Sequence, residues 1–97
     1  MRMMLQLQID TESGNRAVAA GNLGRVMEEL FARVQPEAAY FTTIEGERGG
    51  FVVFDLDDPS VIPALAEPLF TELGAKVTLA PVMDRTDLQK GLTSLMG

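Results

Sequence analysis

The chain contains no cysteine, no histidine, no tryptophan and only one tyrosine. Without cysteine there is no disulfide and no thiolate nucleophile. Without histidine there is no imidazole-ligated zinc, no Ser-His-Asp triad and no imidazole base poised near neutral pH. Positive charge is also scarce: 8 lysines and arginines face 14 aspartates and glutamates, a formal net charge of −6. Such a surface repels a phosphate backbone, so no nucleic-acid partner is expected. No apolar run approaches the roughly 20 residues of a membrane span, so no membrane partner is expected either. The first residues, Met1-Arg-Met-Met-Leu-Gln-Leu-Gln, alternate in polarity and lack the apolar block of a signal peptide. Together with the missing cysteine this predicts a cytoplasmic protein.

What is present is the composition of one globular domain. The chain has 97 residues, 46% of them hydrophobic and 23% charged, and reads as a single unit over 1–97. Met3, Leu5, Leu7 and Ile9 alternate with Met4, Gln6, Gln8 and Asp10, the period of a half-buried strand. Thr11–Asn15 reads as a polar turn. Leu23, Val26, Met27, Leu30, Phe31 and Val34 fall on one helical face, and Pro36 ends that helix. Ala38–Ile44 and Phe51–Leu56 are rich in aromatic and β-branched residues. The Gly-rich stretch Glu45–Gly50 separates them, which predicts an antiparallel hairpin.

Asp57, Asp58 and Ser60 supply caps for a second helix. Pro63 fits its first turn, Pro68 predicts a kink or an end, and Gly74 a stop. Val77 and Leu79, extended to Met83, alternate with Lys76, Thr78 and Ala80 as a fourth strand, and Pro81 marks an edge or a strand end. Residues 86–96 form a short C-terminal helix with Thr86 as its cap and Leu88, Leu92, Leu95 and Met96 as its stripe. Alone it is too short to hold in water, so it is expected to dock.

Strand, helix, strand, strand, helix, strand is the order of the ferredoxin-like βαββαβ fold: an α+β domain whose four-stranded antiparallel sheet carries two helices on one face, here with the C-terminal helix added. The other sheet face is left open. It takes Met4, Gln6 and Gln8 from the first strand, either Tyr40/Thr42 or Ala39/Phe41/Thr43 from the second, and either Val52/Phe54 or Phe51/Val53 from the third. Either register is apolar enough to want a partner, and a second copy packed sheet to sheet is the simplest one.

The candidate chemistry is short. Tyr40 places a hydroxyl on a strand, either toward a cavity or as an ordinary half-buried sheet aromatic. Gln6 and Gln8 can orient a ligand by hydrogen bonds or line an interface. Arg48, in the Gly-rich hairpin, can hold an anion or stand in solvent. Asp10 and Asp55 end the first and third strands, which are neighbours in this topology. As adjacent carboxylates they would perturb each other's pKa and offer a general base. Tyr40, Asp10 and Asp55 are thus the catalytic candidates, and Gln6, Gln8, Tyr40 and Arg48 the ligand-binding ones. Asp57 and Asp58 start a helix and do not make a metal site. Gly46–Gly50 is followed by neither Lys-Ser/Thr nor a helix, so it is no phosphate loop. No cofactor is indicated.

The stretch from Phe51-Val-Val-Phe-Asp-Leu-Asp-Asp-Pro through Ala66-Glu-Pro-Leu-Phe to Val77-Thr-Leu-Ala-Pro-Val-Met resembles the muconolactone isomerase-like small proteins of the dimeric α+β barrel superfamily. The resemblance implies two ferredoxin-like sheets paired around a shared cavity. It transfers no catalytic residue, because the matched positions are turns and core. Heme-degrading and quinone-forming monooxygenases of that superfamily lean on His, Trp or Asn, and this chain offers only Asn15 and Asn22. Three functional readings follow: a homodimer binding or transforming a small hydrophobic metabolite between its sheets, as a cofactor-free isomerase or oxygenase-like enzyme; a regulatory ligand-binding module; and a protein-interaction module.

Overall fold

A computed structural model describes all residues, Met1–Gly97. Its centre is strand β1 (Arg2–Ile9), in which Met3, Leu5, Leu7 and Ile9 are buried and every intervening residue is half-buried. Strands β2 (Ala38–Ile44), β3 (Glu47–Asp55) and β4 (Ala75–Pro81) complete a four-stranded sheet of order β2-β3-β1-β4, antiparallel throughout. This is the expected α+β, ferredoxin-like arrangement. Helices α1 (Thr11–Ala19), α2 (Asn22–Val34) and α3 (Ile62–Leu73) cover one face. Their Val26, Leu30, Leu65, Leu69 and Leu73 pack on Leu5, Leu7, Ile9, Val52 and Phe54.

Four local expectations are corrected. Thr11–Asn15 is not a turn but the first half of α1. Asp10 caps it, accepting the Ser13 N–H at 3.0 Å, so the polar run satisfies a helix start instead of a loop. The break falls at Gly21, whose φ of 74° lets α2 begin in a new direction. The hairpin turn is only Glu45-Gly46, with φ of 52° and 78°, the left-handed pair of a tight two-residue turn. β3 therefore starts at Glu47, and Arg48, Gly49 and Gly50 belong to the strand. Pro68 does not end α3, which runs to Leu73 with Leu65, Leu69 and Leu73 all buried. Core packing on both sides of the proline offsets its lost hydrogen bond. Pro81 does end β4, leaving Met83 outside the strand and 68% exposed.

The C-terminal helix α4 (Arg85–Met96) is capped by Asp84 rather than Thr86. Asp84 accepts the Asp87 N–H at 2.8 Å, and Asp87 accepts the Asp84 N–H at 3.1 Å. The helix was expected to dock, yet none of its residues is buried. It projects from the body and stretches the molecule to 55 Å against 29 and 18 Å in the other directions. No helix of the chain is long and apolar enough to cross a membrane.

Candidate functional site

The strand registers settle which residues share each sheet face. On the open face, Tyr40, Phe51, Gln6 and Thr78 stand side by side in one row across β2, β3, β1 and β4. Ala38, Val53, Met4 and Ala80 form the row on one side, and Thr42, Gly49, Gln8 and Lys76 the row on the other. The open face thus takes Tyr40/Thr42 and Phe51/Val53 of the sequence-level alternatives. Three of the candidate residues, Gln6, Gln8 and Tyr40, come together there. Gln8 donates to Glu47 at 2.9 Å, and Tyr40 is 71% exposed on the edge strand.

Asp10 and Asp55 are not brought together. β1 and β3 are antiparallel with Arg2 opposite Asp55, so the two carboxylates lie at opposite ends of the sheet. At about 3.4 Å per residue they are some 27 Å apart. Strand adjacency was legible, but the antiparallel sense puts successive strand ends at opposite poles. Each has a structural partner instead. Hydrogen bonds from the Ser13 side chain and backbone hold Asp10 below the usual carboxylate range. The hydrogen bond from the N-terminal ammonium, at 2.7 Å, does the same for Asp55. Neither is a base tuned upward toward neutral pH.

Arg48 lies on the other face. It pairs with Ile9 across β3 and β1 and points toward the helices. There it borders a cleft of about 400 Å³ between α2 and the β2 edge. Leu23, Met27 and Phe31 of α2 form one wall, Phe41 and Thr43 of β2 the other, and Leu7 and Ile9 part of the floor. The Phe31 and Phe41 rings face each other with centroids 6.1 Å apart and planes tilted by 59°. Gly50 makes the Phe41 position possible, since a Cβ there would lie 2.6 Å from its Cδ1. The ring therefore lies over bare β3 backbone.

The guanidinium is held in a similar way. Gly14 of α1 lies beneath it, and a Cβ at that position would meet Nη1 at 2.5 Å. Arg48 Nη2 donates to Asn15 Oδ1 at 3.0 Å. Two arginines of the chain are half-buried, Arg2 and Arg48. Arg2 sits within 4.0 Å of three carboxylates, those of Glu37, Asp84 and Asp87. Arg48 makes no salt bridge; its side-chain hydrogen-bond partner is the neutral Asn15 amide. The result is an apolar, aromatic-walled cleft with one positioned and uncompensated cation beside it. Nothing in it resembles a metal site, and no cluster of three or more His, Cys, Asp or Glu side chains occurs anywhere in the chain. Asn15, Phe31 and Phe41 were not singled out from sequence. The two glycines facing large side chains across strand and helix were the only available signal.

No family model matches the chain. No curated protein matches it either. Among solved structures, the uncharacterized protein TM1266 from Thermotoga maritima is similar, with a TM-score of 0.58 at 20% sequence identity over 84% of this chain and 96% of that one. At that identity the likeness speaks to the fold.

Proposed function

We propose that the protein binds a small amphipathic carboxylate in the cleft between α2 and the β2 edge. The apolar or aromatic body of the ligand lies against Leu23, Met27 and the Phe31–Phe41 pair, and its anionic head meets Arg48. The observation that carries this reading is the Arg48 guanidinium, held by Asn15 at the border of an apolar cleft with no carboxylate of its own. A volume of about 400 Å³ is within the range of small-molecule sites, and few convergent polar groups among apolar walls is their usual chemistry. An arginine fork suits a carboxylate, which it can bind through two parallel hydrogen bonds. The overall charge of −6 would repel an anion, so affinity for one depends on this local cation. The lining supplies binding groups and no carboxylate, so we read the site as a cytoplasmic ligand-binding one.

Decanoate, with decanol as its uncharged counterpart, tests the reading by calorimetry or by displacement of a fluorescent anilinonaphthalene sulfonate. Decanoate is expected to bind more tightly than decanol. Arg48→Met should weaken decanoate by about tenfold or more while leaving decanol unchanged. Equal binding of acid and alcohol, or an unaltered acid affinity in Arg48→Met, would overturn the assignment.

A second reading concerns the other face, where the row Tyr40, Phe51, Gln6 and its neighbours Met4 and Val53 leave an apolar surface half-exposed. It supports a homodimer formed sheet to sheet, as in the muconolactone isomerase-like barrels, with Gln6, Gln8 and Tyr40 at the contact. Sedimentation at micromolar concentration decides it: a single monomeric species would remove it.

A further inference from the structure

From the placement of α4 we infer that this helix is an exchanged arm, which docks on the β2 side of a second copy of the chain and completes the sheet-to-sheet dimer. The inference rests on the homodimer reading and adds to it the role of the C-terminal helix.

Three observations lead here. The first is that α4 has a one-sided apolar stripe with nothing under it. Leu88, Leu92 and Leu95 recur at the spacing of one helical face and are 48%, 48% and 84% exposed. A helix of 12 residues does not hold alone in water, so this stripe needs a surface.

The second is that α4 is not packed on its own chain. α4 leaves from β4, one edge of the sheet, whereas the exposed aromatic Tyr40 lies on β2, the opposite edge. Those edges are about 14 Å apart, at three strand spacings. The connection is short and pinned. Val82 N–H donates to the Arg2 carbonyl at 3.1 Å, and Arg2 Nη1 lies 3.3 Å from Asp84 and 3.8 Å from Asp87 in the first turn of the helix. The arm is thus aimed outward, as the 55 Å length of the molecule shows.

The third is that a second copy fits in area and in charge. An open face of four strands and seven residues covers about 440 Å², roughly half the ~800 Å² per partner of a stable interface. An arm given and an arm received, each about 18 Å long and 10 Å wide, supply the rest. Residues 85–97 carry Arg85, Lys90 and Asp87, a net +1, so the remaining 84 residues carry −7 of the total −6. The arm therefore meets a body of opposite sign. A two-fold axis satisfies both stripes and both faces at once.

The test uses the full chain. Sedimentation gives the dimer dissociation constant, and hydrogen exchange follows the α4 amides above and below it. The expected result is a wild-type dimer whose α4 amides are protected and lose protection on dilution. Leu88→Asp/Leu92→Asp should raise the dissociation constant by on the order of a hundredfold, since two leucines per arm leave the interface. A monomeric wild type would remove the dimer reading and this inference with it. A wild-type dimer with unprotected α4 amides, or with the same dissociation constant in the double variant, would overturn the arm alone. Protection of α4 that persists in the monomer would also overturn it, since the helix would then pack on its own chain.

Discussion

The two faces of the sheet are built from the same strands, one residue out of step, and they have different fates. On the helix-covered face, Leu5, Leu7, Ile9, Val52 and Phe54 are all at most 2% exposed. On the open face their immediate neighbours Met4, Gln6, Phe51 and Val53 are only half-buried. Hydrophobicity does not separate the two: Phe51 and Val53 are as apolar as Val52 and Phe54. The difference is the destination. The covered face closes against α2 and α3 within the chain, while the open face stays half-exposed and the α4 stripe exposed. Apolar residues on both sides of a strand, in a domain with helices on one side only, are what the proposed homodimer rests on.

The largest effect expected from breaking that comparison comes from a pair of substitutions three residues apart on β3, one on each face. Phe54→Asp places a charge in the core at a site 2% exposed, at a cost of about 4 kcal/mol or more. For a domain of this size that lowers the melting temperature by about 20 °C or more. Phe51→Asp puts the same charge on the open face. The monomer should keep its circular dichroism spectrum and melt within a few degrees of a dilute wild-type sample, while sedimentation shows the dimer lost. Equal destabilisation by both would mean that the two faces do not differ as described.

The asymmetry also explains how much was legible in the sequence. The alternation in Met3–Ile9 and the 3/4 spacing from Leu23 to Val34 each encode one buried face and mark β1 and α2, while the sheet topology followed from the order of the elements. Register on the hairpin strands was not legible, because both faces of Phe51–Phe54 are apolar and the tie is broken only by the Glu45-Gly46 turn. Reading Gly49 and Gly50 as loop hid Arg48 in a turn, when each glycine accommodates a cross-strand side chain, Ile44 and Phe41 respectively. That misplacement concealed the cleft. Gln6 and Gln8 fall on the open face by period alone, whereas Tyr40 stood as one of two alternatives for β2 that only the strand pairing decides. Asp10 and Asp55 were paired by strand adjacency without the antiparallel sense, which sets them at opposite ends.

A smaller change sharpens the claim that glycine positions the binding arginine. Gly14 lies inside α1, where alanine is favoured over glycine by up to about 1 kcal/mol. Its added Cβ, however, would stand 2.5 Å from Arg48 Nη1 and 3.2 Å from Cδ. The long side chain can swing aside, so the helix gains while the guanidinium leaves Asn15. Gly14→Ala is expected to raise the melting temperature by a few degrees and to weaken decanoate several-fold. A gain in stability with unchanged decanoate affinity would show that Asn15 and Gly14 do not place Arg48 for binding.

The smallest effect expected is the response to acid, which separates the caps from the faces. Asp10, Asp58 and Asp84 all cap helical turns and are all held below the ordinary carboxylate range. The leading causes are the Ser13 side chain for Asp10, the Ser60 backbone N–H for Asp58 and the Asp87 backbone N–H for Asp84. A carboxyl whose pKa is lower folded than unfolded stabilises the fold fully above its unfolded value of about 3.9, and that contribution is lost as pH falls through the lower folded value. The melting temperature should therefore be level from neutral pH down to about 5 and decline below about 4. Asp10→Asn keeps an acceptor for the Ser13 N–H but removes the titration, so its decline should be shallower than that of the wild type. All three groups are exposed, and the difference is expected to be a few degrees at most. An identical acid limb in Asp10→Asn would place the acid sensitivity in general charge repulsion, as the 14 carboxylates protonate and leave the 8 cations unbalanced.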